Sequence, residues 1–324
     1  MLPSFAYLRA ASLDAAVQQL AAEGAKVHAG GTDLIGCLRD EVFDATTVVS
    51  ITELAELRGI TRQPGGGLRI GALTTVAQVA ADPLVRDQYP ALAQAAGAVA
   101  SPQLRNQGTI GGNICQRPRC WYFRGQFPCL RKGGNTCYAL AGENHYHCIL
   151  GGERCYIVHP SDTAPALVAL GATVRIAGPG GTRAVPIEEF FVLPGTNVER
   201  ETVLEQGEIV TDIILPQPQA GQRSSYRKVR GRGAWDFALA GVALRIVITD
   251  GRVADARVVL SGAAPVPWRS RPTEDIIRGT ALEPGVCRQA AEAAMRDARP
   301  LKRNGYKIPL FRGVIEEALS TTQA

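Results

Sequence analysis

The sequence predicts an α+β protein in two parts, and three observations predict it. Short apolar strands alternate with helical stretches from the N-terminus to about residue 215. A proline-rich piece, PQPQAGQ at 216–222, then interrupts the pattern as a linker. Beyond it, two long apolar runs meet at Asp250 and Gly251, the signature of an antiparallel hairpin.

In order along the chain, Ser12 is placed to cap a helix over SLDAAVQQLAAEG, with Leu13, Val17 and Leu20 at helical spacing and Gly24 at its end. Lys26 to Ala29 reads as a short strand running into the Gly30-Gly31 turn, and TTVVSI near residue 48 as a second strand. GGGLRIGALTT contains a third, followed by helices over VAQVAADPLV and PALAQAAGAV. TAPALVALG is a helix with Pro165 in its first turn, where the missing N–H leaves nothing unpaired. TVRIAGPGGTRAVPI is a hairpin and EIVTDIILP a strand. After the linker, YRKVRG is a strand, the Asp-Gly hairpin follows, and CRQAAEAAMRDA and FRGVIEEALS are helices. No internal repeat or low-complexity tract interrupts the series.

With 324 residues, 46% hydrophobic and 20% charged, the chain can bury a large core and reads as globular, with two or three domains. No apolar run reaches the roughly 18 residues of a membrane span. The N-terminus MLPSFAYLRAASLDAA lacks the layout of a signal peptide, so a cytoplasmic location is expected, or export carried by a signal-bearing partner. The net charge of +5 is modest and shows no broad basic stripe, which argues against nucleic-acid binding. Two local basic groups stand out: Arg117, Arg119, Arg124, Arg131 and Lys132, then Arg223, Arg227, Lys228, Arg230 and Arg232.

Five of the eight cysteines, Cys120, Cys129, Cys137, Cys148 and Cys155, fall within CWYFRGQFPCLRKGGNTCYALAGENHYHCILGGERC. Disulfides suit oxidising compartments and small secreted domains, and five is an odd number. Structural zinc favours paired C-x₂-C knuckles, whereas the gaps here are 8, 7, 10 and 6 residues. An iron–sulfur cluster is served by a glycine-rich loop that brings thiolates from several directions, and spacing favours it over zinc. Trp121, Tyr122 and Phe123 can shield such a group, and Arg119, Arg124, Arg131 and Lys132 are expected to face its negative charge. His145 and His147 are possible ligands, although such histidines are more often partly exposed loop residues, and Cys37, Cys115 and Cys287 read as ordinary buried cysteines.

Two glycine turns carry the other chemistry. In AGGTDL, successive backbone N–H groups at Gly30, Gly31, Thr32 and Asp33 can form a concave anion site, although a plain turn is the commoner use of such a sequence. QGTIGGN at 107–113 is a second such turn, and HPSD puts Asp162 just before a helix that it could cap.

Together and in this order, KVHAGGTDL, LRNQGTIGGNICQ, YIVHPSDTAPALVALGA and YRKVRGRGAWDFALAGVA resemble the FAD-binding subunit of the xanthine dehydrogenase family of molybdenum hydroxylases, over nearly the whole chain. The resemblance implies a vanillyl-alcohol-oxidase-type FAD-binding domain over 1–216, in subdomains of about 1–55 and 56–216. It also implies a C-terminal domain over 223–324 like that of carbon monoxide dehydrogenase flavoproteins. The segment 117–156 resembles the insertion that carries a [4Fe–4S] cluster in flavin subunits of aldehyde oxidoreductases and 4-hydroxybenzoyl-CoA reductase. The pattern RCWYF…FPCLRKGGNTC implies Cys120, Cys129, Cys137 and Cys155 as ligands, with Cys148 the alternative fourth.

For the flavin, the resemblance implies that Lys26, Val27, His28, Ala29, Gly30, Gly31, Thr32, Asp33 and Leu34 hold the FAD pyrophosphate. Thr109, Gly112 and Asn113 would line the same groove, Asp162 would accept from the ribityl hydroxyls or the adjacent cofactor edge, and Lys228 would lie near the isoalloxazine. The implied activity is electron transfer: a large molybdenum-cofactor subunit oxidises the substrate, a small [2Fe–2S] subunit relays the electrons, and this chain hands them to an external acceptor. No general acid, base or nucleophile for the substrate is then expected here. The competing expectations are a zinc-stabilised scaffold with a decayed flavin site and a self-sufficient oxidase.

Overall fold

A computed structural model describes residues 2–323. The first layer is a three-stranded parallel sheet of β1 (Ala6–Arg9), β2 (Ala25–His28) and β3 (Thr47–Ser50), in the order β1-β3-β2. The helix Leu13–Leu20 crosses from β1 to β2 and packs Ala16, Val17 and Leu20 into the core. Ser12 caps it, its Oγ accepting the amide of Ala15 at 3.1 Å. The strand expected over 26–29 occupies Ala25–His28. Strand β1 had no sequence signal, because all four of its residues are exposed and show no apolar alternation.

A second, antiparallel sheet contains β4 (Ile60–Arg62), β5 (Leu68–Gly71), β6 (Thr173–Gly178), β7 (Gly181–Pro186) and β8 (Ile209–Leu215), ordered β4-β5-β8-β6-β7. The β6–β7 hairpin is the one expected, whereas the pairing of Leu68 with Leu215 brings together residues from opposite ends of the N-terminal part. Helices pack on both faces of this sheet, with Ile176 and Val210 in one buried cluster and Ala177 and Ile209 in another with Val17 and Leu20. The expected single helix over VAQVAADPLV is two, Val76–Ala81 and Pro83–Gln88. Asp82 precedes a proline, is held extended at ψ 127°, and instead caps the second helix by accepting the amides of Leu84 and Val85.

The third sheet, β12-β11-β10-β9, is antiparallel: β9 (Gln222–Val229), β10 (Ala240–Thr249), β11 (Arg252–Ser261) and β12 (Trp268–Arg269). Asp250 and Gly251 both have positive φ (52° and 74°), the type I′ geometry that joins strands with the right twist. Helices Arg271–Ile277, Pro284–Ala294 and Lys307–Gln323 back this sheet, the first of them unforeseen in the sequence. The sheet shares its other side with the N-terminal part. Tyr226, Ala243 and Val259 belong to the same buried cluster as Leu68, Ile213 and Leu167. The helix Thr163–Leu170 is buried at all eight positions because helices and the third sheet enclose it.

The cysteine segment is an excursion from this frame. It leaves after the helix Ile110–Ile114 and returns at the helix Thr163–Leu170, which touch each other. Asn113 closes its base, its Oδ1 accepting from Ser161 and Thr163 hydroxyls, each at 2.6 Å. The C-terminal part clasps its far side. Fully buried Asn304 donates Nδ2 to the carbonyls of His147 and Cys148, and Lys307 donates Nζ to Tyr146 and Gly262 carbonyls. Burial lowers the Lys307 pKa to about 8, and its ammonium donates to those two carbonyls. Replacing Asn304 by Ala strands two buried carbonyls and the Leu301 amide, which it accepts at 2.6 Å. Asn304→Ala is expected to cost about 2–3 kcal/mol in urea unfolding. Amides of residues 144–149 should exchange faster in that variant, and an unchanged exchange pattern would remove the clasp from this account.

Candidate functional site

A groove runs along the seam between the first sheet and the helix Ile110–Ile114. One compartment, about 270 Å³, has Lys26, Val27 and residues 29–34 on one bank and Thr109, Gly111, Gly112 and Arg117 on the other. It continues past Gly31, Thr32, Asp33, Thr109 and Gly112 into a second of about 510 Å³, lined also by Asn113, Asp162, Trp235 and Phe237. Both glycines of the turn are demanded by geometry. Gly31 has φ +70°, and a Cβ on Gly30 would lie 2.0 Å from the carbonyl oxygen of Gln107. On the opposite bank Thr109 caps its helix, its Oγ1 accepting the Gly112 amide at 3.2 Å.

Of the fourteen residues expected at a flavin, two do not reach the groove wall. His28 lies behind the turn, its ring against Gly31 and edge-on to Tyr7 at 6.0 Å. Burial lowers its pKa. Lys228 also stands behind the wall, its Nζ donating to Asp162 Oδ2 at 2.7 Å and to the Ala98 carbonyl at 3.0 Å.

Asp162 does not cap its helix; Ser161 Oγ does, accepting the Ala164 amide. The Asp162 carboxylate is instead held between Lys228 and the Tyr226 hydroxyl, which donates to Oδ1 at 2.7 Å. Burial pushes its pKa up, and the Lys228 ammonium pulls against that shift. The Tyr226 hydroxyl, buried against a carboxylate, is raised well above its ordinary value. Lys228 therefore acts on the groove through Asp162, not as a free cation.

Asp33 joins the groove to the cysteine segment. Its Oδ2 accepts the Arg117 amide at 2.7 Å, while Oδ1 accepts from Arg124 (2.7 Å) and pairs with Arg119 (2.9 Å). This corrects the expected role of the first basic group. Arg117 and Arg131 share Glu201, and Lys132 donates to the Gly125 carbonyl. Partly buried guanidinium groups require carboxylate partners, and all four arginines take Asp33 or Glu201; of the group, only Arg131 also lines the thiol cavity. In the second group, Arg227 pairs with Glu317 and Lys228 with Asp162.

Cys120, Cys129, Cys137 and Cys155 line one small cavity with Phe123, Leu130 and Arg131. Each arrives from its own stretch. Cys120 stands at the N-terminus of the helix Trp121–Arg124, and Cys129 precedes the turn Leu130–Lys132. A Cβ on Gly134 would meet the Pro128 carbonyl oxygen at 1.8 Å, so only glycine lets that turn fold back on itself. Burial pushes the Cys120 thiol up to about 12 and raises Cys137, while amides of Tyr122 and Phe123, and of Ala139 and Tyr156, favour their thiolates. Cys148 is buried outside the cavity wall, beneath Gly152, and burial raises its thiol strongly. His145 pairs with Glu143 at the surface. His147 is buried, with Nε2 3.3 Å from Cys120 Sγ, and it too lies off the cavity wall. Among the described residues, no three His, Cys, Asp or Glu side chains form a ready group for a metal ion; the four thiols ring a cavity instead.

Sequence reasoning missed several groove residues. Cys37 and Cys115, read as core cysteines, line the first compartment, where burial raises their thiols to about 11 and about 12. Arg117 sits there over the rings of Phe43 and Phe123, at 5.5 and 5.1 Å. Trp235, at φ 52°, and Phe237 reach the second compartment from the loop after β9. The bulky aromatics in GRGAWDF were the one available signal for it.

Residues 3–218 match the family described as the FAD binding domain in molybdopterin dehydrogenase, and residues 224–320 the carbon monoxide dehydrogenase flavoprotein C-terminal domain. The chain is 36% identical over 315 residues to the aldehyde oxidoreductase FAD-binding subunit PaoB of Escherichia coli K12, covering 96% of this chain and 95% of that one. It is 31% identical to a xanthine dehydrogenase FAD-binding subunit of Escherichia coli O157:H7, over 91% of this chain and 86% of the relative. Among solved structures, the carbon monoxide dehydrogenase of Hydrogenophaga pseudoflava matches with a TM-score of 0.79 and 29% identity, covering 99% of this chain and 98% of that one. A glycine-walled groove, its buried carboxylate and these likenesses along the whole length lead to one assignment: the chain belongs to the FAD-binding subunits of the xanthine dehydrogenase family of molybdenum hydroxylases.

Proposed function

We propose that this oxidoreductase subunit relays electrons from a molybdenum subunit and a [2Fe–2S] subunit, through FAD, to an external acceptor, and that Cys120, Cys129, Cys137 and Cys155 hold an additional [4Fe–4S] cluster. The observation that carries the finer part is the meeting of four thiols, drawn from four stretches of chain, around one apolar cavity. The donor set is one a cubane can use: four thiols able to ligate as thiolates, N–H donors near two sulfurs, and the Arg131 guanidinium beside Cys155. Cys155 on the wall and Cys148 off it support the former as fourth ligand. Bound FAD supplies two-electron acceptance and stepwise release, and the protein supplies position and electrostatics.

In this reading the amides of the glycine turn face the pyrophosphate, with Thr109, Gly112 and Asn113 opposite. Lys26 and Arg117 add positive charge at the first compartment, and burial together with Arg117 lowers the Lys26 pKa, a cost an anion would relieve. Asp162 orients cofactor hydroxyls from the second compartment, with Lys228 and Tyr226 fixing its carboxylate. A large molybdenum subunit and a small [2Fe–2S] subunit are the proposed partners; the cytoplasm, or the periplasm by co-export, is the proposed location. The relatives support this by being named as FAD-binding subunits of an aldehyde oxidoreductase and a xanthine dehydrogenase.

Three outcomes are expected. Purified without air, the subunit should contain FAD with about four iron and four sulfide per chain; Cys155→Ser should lose iron and Cys148→Ser retain it, and zinc in place of iron would favour a scaffold role. Gly30→Ala should be isolated nearly free of flavin, because its Cβ cannot coexist with the Gln107 carbonyl; full flavin content would show the turn to be dispensable. Lys228→Met leaves a buried carboxylate without its cation, a loss on the order of 3–5 kcal/mol, and should make the flavin harder to reduce. Adding Asp162→Asn should recover most of that stability, and an unchanged flavin potential in Lys228→Met would refute the electrostatic role.

A further inference from the structure

We propose that His147 donates its Nε2–H to Cys120 Sγ and so raises the reduction potential of the iron–sulfur centre from outside its ligand set. The inference rests on the cluster reading above. Its geometry is specific: Nε2 lies 3.3 Å from Sγ, and the side chain is almost entirely buried. His147 does not line the thiol cavity. It lines a separate cavity of about 320 Å³ on another side of Cys120, together with Trp121 and Arg119. It is therefore placed to touch a ligand sulfur without becoming a ligand.

The rest of the ring's surroundings fix which nitrogen donates. A ligating thiolate carries no proton, so the hydrogen between Sγ and Nε2 must come from the imidazole. With its proton on Nε2 and directed at the sulfur, the neutral ring leaves Nδ1 as the acceptor. The ring is packed in place by its burial, and its backbone is held on both sides: the amide donates to the Asn144 carbonyl at 3.1 Å, and the carbonyl accepts from Asn304 at 3.0 Å. Tyr122 covers one side, its centroid 6.3 Å from the imidazole.

The electronic consequence follows from charge. One electron added to the thiolate-bound iron makes Sγ more negative, so the N–H···S bond is stronger in the reduced form. No proton is transferred, and the donor favours reduction by the difference in hydrogen-bond strength.

The test compares His147→Phe and His147→Gln in the complex as purified, each first assayed for iron and sulfide and then titrated by EPR-monitored reduction. His147→Phe keeps a planar ring and removes the donor; His147→Gln keeps an N–H. The Phe variant should carry full iron yet show about a tenfold smaller equilibrium constant for one-electron reduction, equivalent to 59 mV, with Gln recovering most of the loss. Equal shifts in both variants, or none, would overturn the inference while leaving the cluster standing. Wild-type protein without iron would remove the cluster reading and this inference with it. Should the Phe variant fail to load iron, pulsed EPR of reduced wild-type protein carrying ¹⁵N-histidine decides. Coupling to one histidine nitrogen and an exchangeable proton is expected, and its absence overturns the proposal.

Discussion

Asp33 is the residue on which the site depends. Its carboxylate lies where the glycine turn ends and accepts from one backbone amide and two guanidinium groups of the cysteine segment, so the groove and the thiol cavity cannot shift independently. The pairing also explains how Arg119 and Arg124 are tolerated with little exposure: a part-buried cation without a carboxylate would lose hydration with no return. Glu201 performs the same service for Arg117 and Arg131 from the strand-poor stretch before β8. Two carboxylates thus organise four arginines, leaving Arg131 able to face the thiols as well.

A second constraint is closure. The cysteine segment has little regular structure, yet it departs and returns at adjacent helices, fastened by Asn113 to Ser161 and Thr163. Such an excursion loses more conformational freedom on ordering than its few buried apolar residues can offset alone. The compensation comes from outside: Asn304 and Lys307 of the C-terminal part bind its carbonyls, and Ile149 and Leu150 enter the core beneath the third sheet. Thiolate ligation would add four further fixed points. The same clasp holds His147 against Cys120, so the anchoring of the loop and the proposed tuning of its metal centre share one set of hydrogen bonds.

The flavin side follows the same economy of buried charge. Asp162, Lys228 and Tyr226 come from the helix Thr163–Leu170 border and from β9, and they meet where the C-terminal sheet packs on the N-terminal core. The second compartment of the groove accordingly has walls from both parts of the chain, with Trp235 and Phe237 supplied by the loop between β9 and β10. The linker at 216–222 does not separate two free lobes; Tyr89 donates to the Pro216 carbonyl, and Ser224 and Tyr226 bond directly to the helix Pro90–Gly97.

Much of this was legible locally. Ser12 as a cap, the Asp250-Gly251 turn, the glycines of AGGTDL and the crowded cysteines are dictated by backbone conformation or donor chemistry within a few residues, and such requirements are written in the sequence itself. The split at Asp82-Pro83 was equally local and was overlooked for the sake of apolar periodicity. Partner choice was not legible. That Lys228 would meet Asp162, that Arg119 and Arg124 would turn to Asp33, and that His147 rather than His145 would lie against Cys120 depend on which side chains lose water when distant segments pack. A titratable residue shows its type in one dimension, but its partner is selected by burial, and burial exists only once the chain has folded.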